Sequence, residues 1–206
     1  MKKVILAVVC ITTMVCQAQD KKEATKYGVK AGLNLSTVSI ERSVSSEINN
    51  LAGLHIGFFA HVPLGSKVSF QPELLYSMKG FKENFSGGST KYDATIKANY
   101  LSIPLMFQYN FIDKFYAEAG LQGDVLLSAN AKETYTYYDN STKTTDVDVK
   151  KVYNSFIFGL NIGAGYQITN QLSANIRYHF GLSNADDIDN VNFKNRVLQI
   201  GLGYSF

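Results

Sequence analysis

The chain has 206 residues, of which 46% are hydrophobic, 18% charged and 13% aromatic, with a formal net charge of +3. That length bounds one domain or two small ones, and no apolar run reaches the roughly 18 residues of a membrane-spanning helix. The aliphatic and aromatic content excludes disorder, and a charge this close to neutral offers no electrostatic footprint for nucleic acid.

Residues 1–18 have the three parts of a secretory signal: Lys2 and Lys3, an apolar stretch from Val4 to Val15, and small residues at Cys16 and Ala18. Cleavage after Ala18 leaves Gln19 first and a short periplasmic segment, 19–26, ahead of the folded domain at 27–206. The alternative is a lipoprotein acylated at Cys16, but Val15 stands where that signal wants a small side chain. Both cysteines, Cys10 and Cys16, leave with the signal, so disulfides and cysteine metal sites leave with them. The mature chain carries +1, from 18 Lys and Arg against 17 Asp and Glu.

From Tyr27 onward the apolar residues recur at every second position, which is the period of a strand with two unlike faces. Eight such stretches follow: 27–36, 54–62, 68–79, 101–109, 115–127, 156–167, 172–181 and 198–206. Their connections alternate in length. Pro63–Lys67, Asn110–Lys114 and Thr169–Gln171 are short, whereas Thr37–Leu51, Lys82–Thr95, Asn130–Asn154 and Ser183–Lys194 are long and polar. With both termini at one end, all short turns fall there and all long loops at the other, as in outer-membrane barrels. In the longest loop, Tyr135 and Tyr137 are expected to meet Val147 and Val149 about a turn at Asp139-Asn140-Ser141. The fold expected is an all-β, eight-stranded antiparallel up-and-down transmembrane β-barrel in one domain.

Period two does not say which face points inward, and a soluble ligand-carrying barrel would hide its apolar face. Three features favour apolar outward. Glycine crowds the polar face, as a narrow lumen requires. Aromatics collect near strand ends, with Tyr27, Tyr109, Phe115, Tyr166 and Tyr204 toward the short turns and Tyr76, Phe156, Tyr178 and Phe180 toward the long loops, the two girdles of a lipid-facing barrel. The last strand ends on Tyr204 and Phe206, which has the form of a barrel-assembly signal. In hydrocarbon an unpaired strand edge costs several kcal/mol per amide, so the last strand must pair with the first.

Parity then places Lys30, Lys79 and Arg177 inside with Glu73, Glu118 and Asp124, together with His55, His61 and His179. Three cations against three anions imply salt bridges filling the lumen, with space for side chains and little more. A proton or ion path through the same residues is the functional alternative. No catalytic, cofactor-binding or metal-binding residues are identified. His55 and His61 lie roughly 20 Å apart on one strand and cannot share a metal. No G-x-S-x-G elbow is present, and the glycines from Gly159 to Gly165 lie within a strand, which rules out a nucleotide loop. Asp186, Asp187 and Asp189 match no calcium-loop spacing and read as a solvated acidic loop. Pro72 and Pro104 each remove a ladder hydrogen bond. With their hairpin centred on Gly87-Gly88 they share one level, where a paired bulge or kink is expected.

The segments YGVKAGLNLS (27–36), FQPELLYSMKG (70–80), YLSIPL (100–105), GLNIGAGY (159–166) and QIGLGYSF (199–206) resemble the porin-like outer-membrane β-barrel domain family of Gram-negative bacteria. The resemblance spans nearly all of the mature chain, including both mid-strand prolines, and implies outer-membrane localisation. It is poor for function: most members have no assigned activity, and some relatives serve protein secretion or gliding. Outer-membrane lipid and the barrel-assembly machinery, engaged through the C-terminal strand, are the partners expected. A non-enzymatic barrel whose loops contact an extracellular or envelope protein is the leading reading, with the tyrosines of 130–154 and Lys132, Lys143 and Lys150 as the candidate contact surface. A narrow porin-like channel and a secretion-associated barrel are the alternatives.

Overall fold

The computed structural model describes residues 24–40, 47–87, 90–139, 141–186 and 193–206, so the signal segment lies outside the described residues. Nine strands follow in chain order: β1 (Lys26–Ile40), β2 (Glu47–Pro63), β3 (Val68–Gly87), β4 (Thr90–Ile112), β5 (Phe115–Thr136), β6 (Thr142–Asp148), β7 (Phe156–Gln167), β8 (Leu172–Gly181) and β9 (Phe193–Ser205). Eight of them close an antiparallel ring in the order β1–β2–β3–β4–β5–β7–β8–β9 and back to β1. The closing seam runs from Gly28 opposite Ser205 to Ile40 opposite Phe193. Along that seam the ring leaves no edge amides unpaired, which is what a sheet in hydrocarbon requires.

The outward positions are apolar: Leu33 is 69% exposed, Phe58 66% and Leu121 60%. Large exposed apolar side chains repeated around a ring mark a surface solvated by lipid. Near the short turns the girdle rings touch across strands, with the Phe115 and Tyr166 centroids 4.6 Å apart. Near the long loops, Phe180 lies 4.5 Å from the ring of Tyr178 and beneath the guanidinium of Arg196.

Several strands outrun the membrane. The stretch 82–95, read from sequence as a loop, is a hairpin continuing β3 and β4, with Phe85 opposite Tyr92 and Gly87 opposite Thr90. Its polar residues occupy both faces, which erases the period-two signal. The ninth strand, β6, stands outside the ring and pairs with the upper part of β5. The expected register there is shifted, since Tyr135 faces Lys143 and Ala131 faces Val147. The Asp139 carboxylate accepts hydrogen bonds from the Ser141 hydroxyl at 2.6 Å and its amide at 3.0 Å, forming an Asx turn that reverses the chain earlier than expected. Those bonds hold the Asp139 carboxyl below the usual carboxylate range.

Pro72 and Pro104 do not produce a bulge between β3 and β4. The register is the same on both sides of them, Pro72 facing Leu105 and Leu75 facing Ser102, while the ladder skips the two steps between. The missing proline donors therefore leave a gap at constant register. Gly87 faces Thr90, so the pairing is not centred on the expected Gly87-Gly88; Gly88 itself lies outside the described residues. The register shifts occur elsewhere, between Asn50 and His55 on β2, at Leu127 on β5 and between Asn110 and Ile112 at the end of β4. At the second, Leu126 and Ala129 both turn inward and parity flips.

Candidate functional site

The interior is layered. In its middle, Arg177 on β8 reaches carboxylates on two other strands. Its Nη1 and Nη2 meet Glu73 of β3 at 3.1 and 2.9 Å, and its Nε and Nη2 meet Glu118 of β5 at 2.9 and 3.1 Å. Lys30 of β1 adds a contact to Glu73 at 3.0 Å. Gln71 donates to Glu73 at 2.8 Å and Gln108 to Glu118 at 3.2 Å. Two cations and two anions cancel, and the planar guanidinium fits two carboxylates in a way an ammonium cannot. Gly163, on the intervening β7, leaves room for this, since a Cβ there would stand 3.1 Å from Glu118 Oε1.

A second group lies toward the long loops. Lys79 of β3 binds Asp124 of β5 at 2.7 Å, and the Ser102 hydroxyl and the Gln122 amide also donate to that carboxylate. The Lys79 ammonium sits 5.2 Å from the centroid of the Tyr100 ring. From Asp124 a chain of amides runs across the lumen: Gln122 Oε1 accepts from Asn161 Nδ2 at 2.8 Å, and Asn161 Oδ1 pairs with His179 Nδ1 at 2.8 Å. Because each amide direction is fixed by its neighbour, Asn161 Oδ1 can only accept, and the His179 proton sits on Nδ1. His179 Nε2 then lies 3.8 Å from Asp124 Oδ2 with no hydrogen bond.

Thus Lys30, Glu73, Lys79, Glu118, Asp124, Arg177 and His179 all point inward, in two groups. His55 is also buried and donates from Nδ1 to Asn34 Oδ1 at 2.8 Å, while His61 lies at the short-turn end. Asn34 and Ser36 have a role that parity could not assign. Where the β2 bulge opens the ladder, Asn34 Nδ2 donates to the carbonyls of Met78 and Leu54, and Ser36 Oγ accepts from the Gly80 amide. Side chains thereby replace ladder partners. Gly80 is required there: its φ is +151°, and a Cβ would meet the Ile96 carbonyl oxygen at 2.0 Å.

Above the ions the interior turns apolar. Val38, Phe81, Ile96, Leu126, Ile157 and Phe193 form a buried cluster at the long-loop mouth, with Tyr153 packed against it. Tyr153 also bridges to Asp186, and Asn154 donates to the carbonyls of Asn184 and Asp186 at 3.1 and 2.6 Å. Asp186 is therefore buried, contrary to a solvated acidic loop; Asp187 and Asp189 lie outside the described residues. Tyr92, also packed against this cluster, lies on Tyr135 at 5.0 Å between centroids, and burial, together with nearby Glu133, pushes the Tyr92 hydroxyl up to about 12. Below the ions the expectation of a filled lumen fails, because a cavity of about 810 Å³ opens at the short-turn end. At that level the rings of Phe59 and Tyr116 lie against Gly28 and Gly165, where a Cβ would meet them at 2.5 and 2.1 Å.

Residues 17–187 match the model of the outer membrane protein beta-barrel domain family. The chain belongs to this family. Its short turns are therefore periplasmic, its long loops face outward, and the protein resides in the outer membrane. None of the curated proteins matches this barrel. Among solved structures, it is similar to the Yersinia pestis attachment invasion locus protein Ail in complex with the heparin analogue sucrose octasulfate. That match has 11% identity over 89% of this chain and 100% of that one, at TM-score 0.50. Neisserial surface protein A matches at 11% identity over 89% and 100%, TM-score 0.46. Escherichia coli outer membrane protein W matches at 18% over 89% and 99%, TM-score 0.40. At these identities the likeness to the first is one of fold. Among the described residues, no three metal-ligating side chains converge.

Proposed function

We propose that this outer-membrane barrel is a closed, non-enzymatic anchor that presents its outer hairpins to an extracellular or envelope partner. The observation that carries this is the cross-lumen grip of Arg177 on Glu73 and Glu118, backed by the apolar cluster at the outer mouth. A solute or ion would have to separate buried, matched charges and then part a hydrophobic seal. The contact element is the β5–β6 hairpin, where every residue of β6 is exposed and Tyr138 at the tip is 88% exposed. An exposed tyrosine offers a large amphipathic surface at small entropic cost, the currency of recognition loops.

Purified protein in a planar bilayer is expected to stay electrically silent under voltage. Discrete conductance steps would establish the narrow-channel reading instead. Tyr138→Ala is expected to leave folding intact and to reduce cell-surface adhesion; unchanged adhesion would remove the hairpin from the reading. We also infer export by cleavage after Ala18, so the mature protein should begin at Gln19 by mass spectrometry, and a mature chain starting at an acylated Cys16 would overturn it.

A further inference from the structure

The periplasmic cavity is a blind vestibule: it enters the barrel from the short-turn end, and the ion cluster stands above its ceiling. Its volume of about 810 Å³ lies within the roughly 300–1,000 Å³ of small-molecule sites. Three kinds of lining group are arranged by depth. At the opening stand Lys26, Lys67 and Lys114, opposed by Asp113. On the walls stand two aromatic rings, Phe59 and Tyr116, buried and pressed against glycines: a Cβ at Gly28 would meet Phe59 Cζ at 2.5 Å, and one at Gly165 would meet Tyr116 Cζ at 2.1 Å. The rings are thus held in place, with little of their surface open to the space. At the ceiling, Gln71 and Gln108 each donate one amide N–H, to Glu73 and Glu118, and the Ser69 hydroxyl donates to Gln108 Oε1 at 3.4 Å.

We propose that this vestibule binds a small acidic carbohydrate of one or two sugar rings from the periplasm. The hydroxyls around the edge of a pyranose ring donate to amide oxygens, and its small C–H faces match the limited apolar surface that Phe59 and Tyr116 leave open. The three lysines at the opening outnumber Asp113, and this excess of positive charge favours a carboxylate on that ligand. The ceiling is rigid, because the groups that form it are tied to buried ions, so little ordering is needed on binding. An apolar ligand fits poorly, as amides and hydroxyls outnumber aliphatic side chains around the space.

The test is an NMR titration of ¹⁵N-labelled full barrel folded in detergent micelles, using digalacturonate, neutral maltose and citrate as probes. Digalacturonate is expected to give saturable shifts at the amides of Ser69, Gln71, Gln108 and Tyr116, with maltose and citrate each at least tenfold weaker. Lys67→Gln/Lys114→Gln, which alters two exposed turns and should keep the heat-modifiable gel shift of a folded barrel, is expected to weaken digalacturonate at least tenfold. Absent or non-saturating shifts would overturn the site. Citrate binding as well as digalacturonate would overturn the carbohydrate assignment, and maltose binding as well, or an unaffected double variant, would overturn the role of charge.

Discussion

Replacing Arg177 with leucine tests whether the barrel's middle is dry. The guanidinium makes four contacts of 2.9 to 3.1 Å to two carboxylates that are themselves buried. Without it Glu73 keeps Lys30 at 3.0 Å and Gln71 at 2.8 Å, but Glu118 keeps only the neutral Gln108 amide at 3.2 Å. One buried negative charge is left without a cation, and breaking a buried pair in this way costs about 3–5 kcal/mol. With an m-value of about 2 kcal/mol/M in urea, the unfolding midpoint should fall by about 2 M. The assay is equilibrium unfolding of the barrel in detergent, followed by loss of the heat-modifiable band and by tyrosine fluorescence. Arg177→Leu/Glu118→Gln restores neutrality, leaving Lys30 with Glu73, and should recover at least half of the loss. A single variant costing less than about 1 kcal/mol, the range of solvated surface pairs, would refute the reasoning. So would a double variant no more stable than the single one, because charge balance would then be irrelevant.

Three further outcomes follow from the geometry. Gly80→Ala forces a Cβ to 2.0 Å from the Ile96 carbonyl at φ +151°, so it should cost at least about 1–3 kcal/mol in the same unfolding assay; wild-type stability would show that the bulge relaxes freely. Phe81→Ala empties the mouth beside Phe193, whose ring centroid is 5.3 Å away, and should cost about 3–5 kcal/mol, whereas a loss under 1 kcal/mol would mean that the mouth is already hydrated. Deleting Phe206 removes an amide that donates to the Tyr27 carbonyl at 2.9 Å and a ring 6.0 Å from Tyr204. It should slow assembly into outer-membrane vesicles several-fold, and assembly at the wild-type rate would remove the terminal aromatic from the assembly signal.

Within the membrane the fold was legible because lipid and lumen make opposite demands on alternate residues. That is why parity alone placed Lys30, Glu73 and Arg177 on one face although β1, β3 and β8 are far apart in sequence. The same rule also hid residues. Leu75, Tyr100 and Met106 are apolar yet point inward, and nothing in an apolar neighbour marks them as lumen-facing. Above the bilayer the rule lapses: Phe81, Ile96 and Phe193 face an apolar mouth, and their outward neighbours face water, so polarity no longer reports direction. The β5 bulge at Leu127 shifts parity where no glycine or proline announces it. The vestibule was missed for a simpler reason: parity gives direction but not depth, and a hollow depends on how far Phe59 and Tyr116 lean toward the glycines opposite.

β5 lends one edge to two partners in succession, its 115–125 half to β7 and its 130–136 half to β6. The ring's strand number and stagger are set entirely by the lower half. The β5–β6 arm can therefore lengthen, shorten or accept a foreign peptide at its tip without any change in barrel diameter. This makes it a grafting point for epitope display, and a place where related chains are free to diverge while the membrane ring stays fixed.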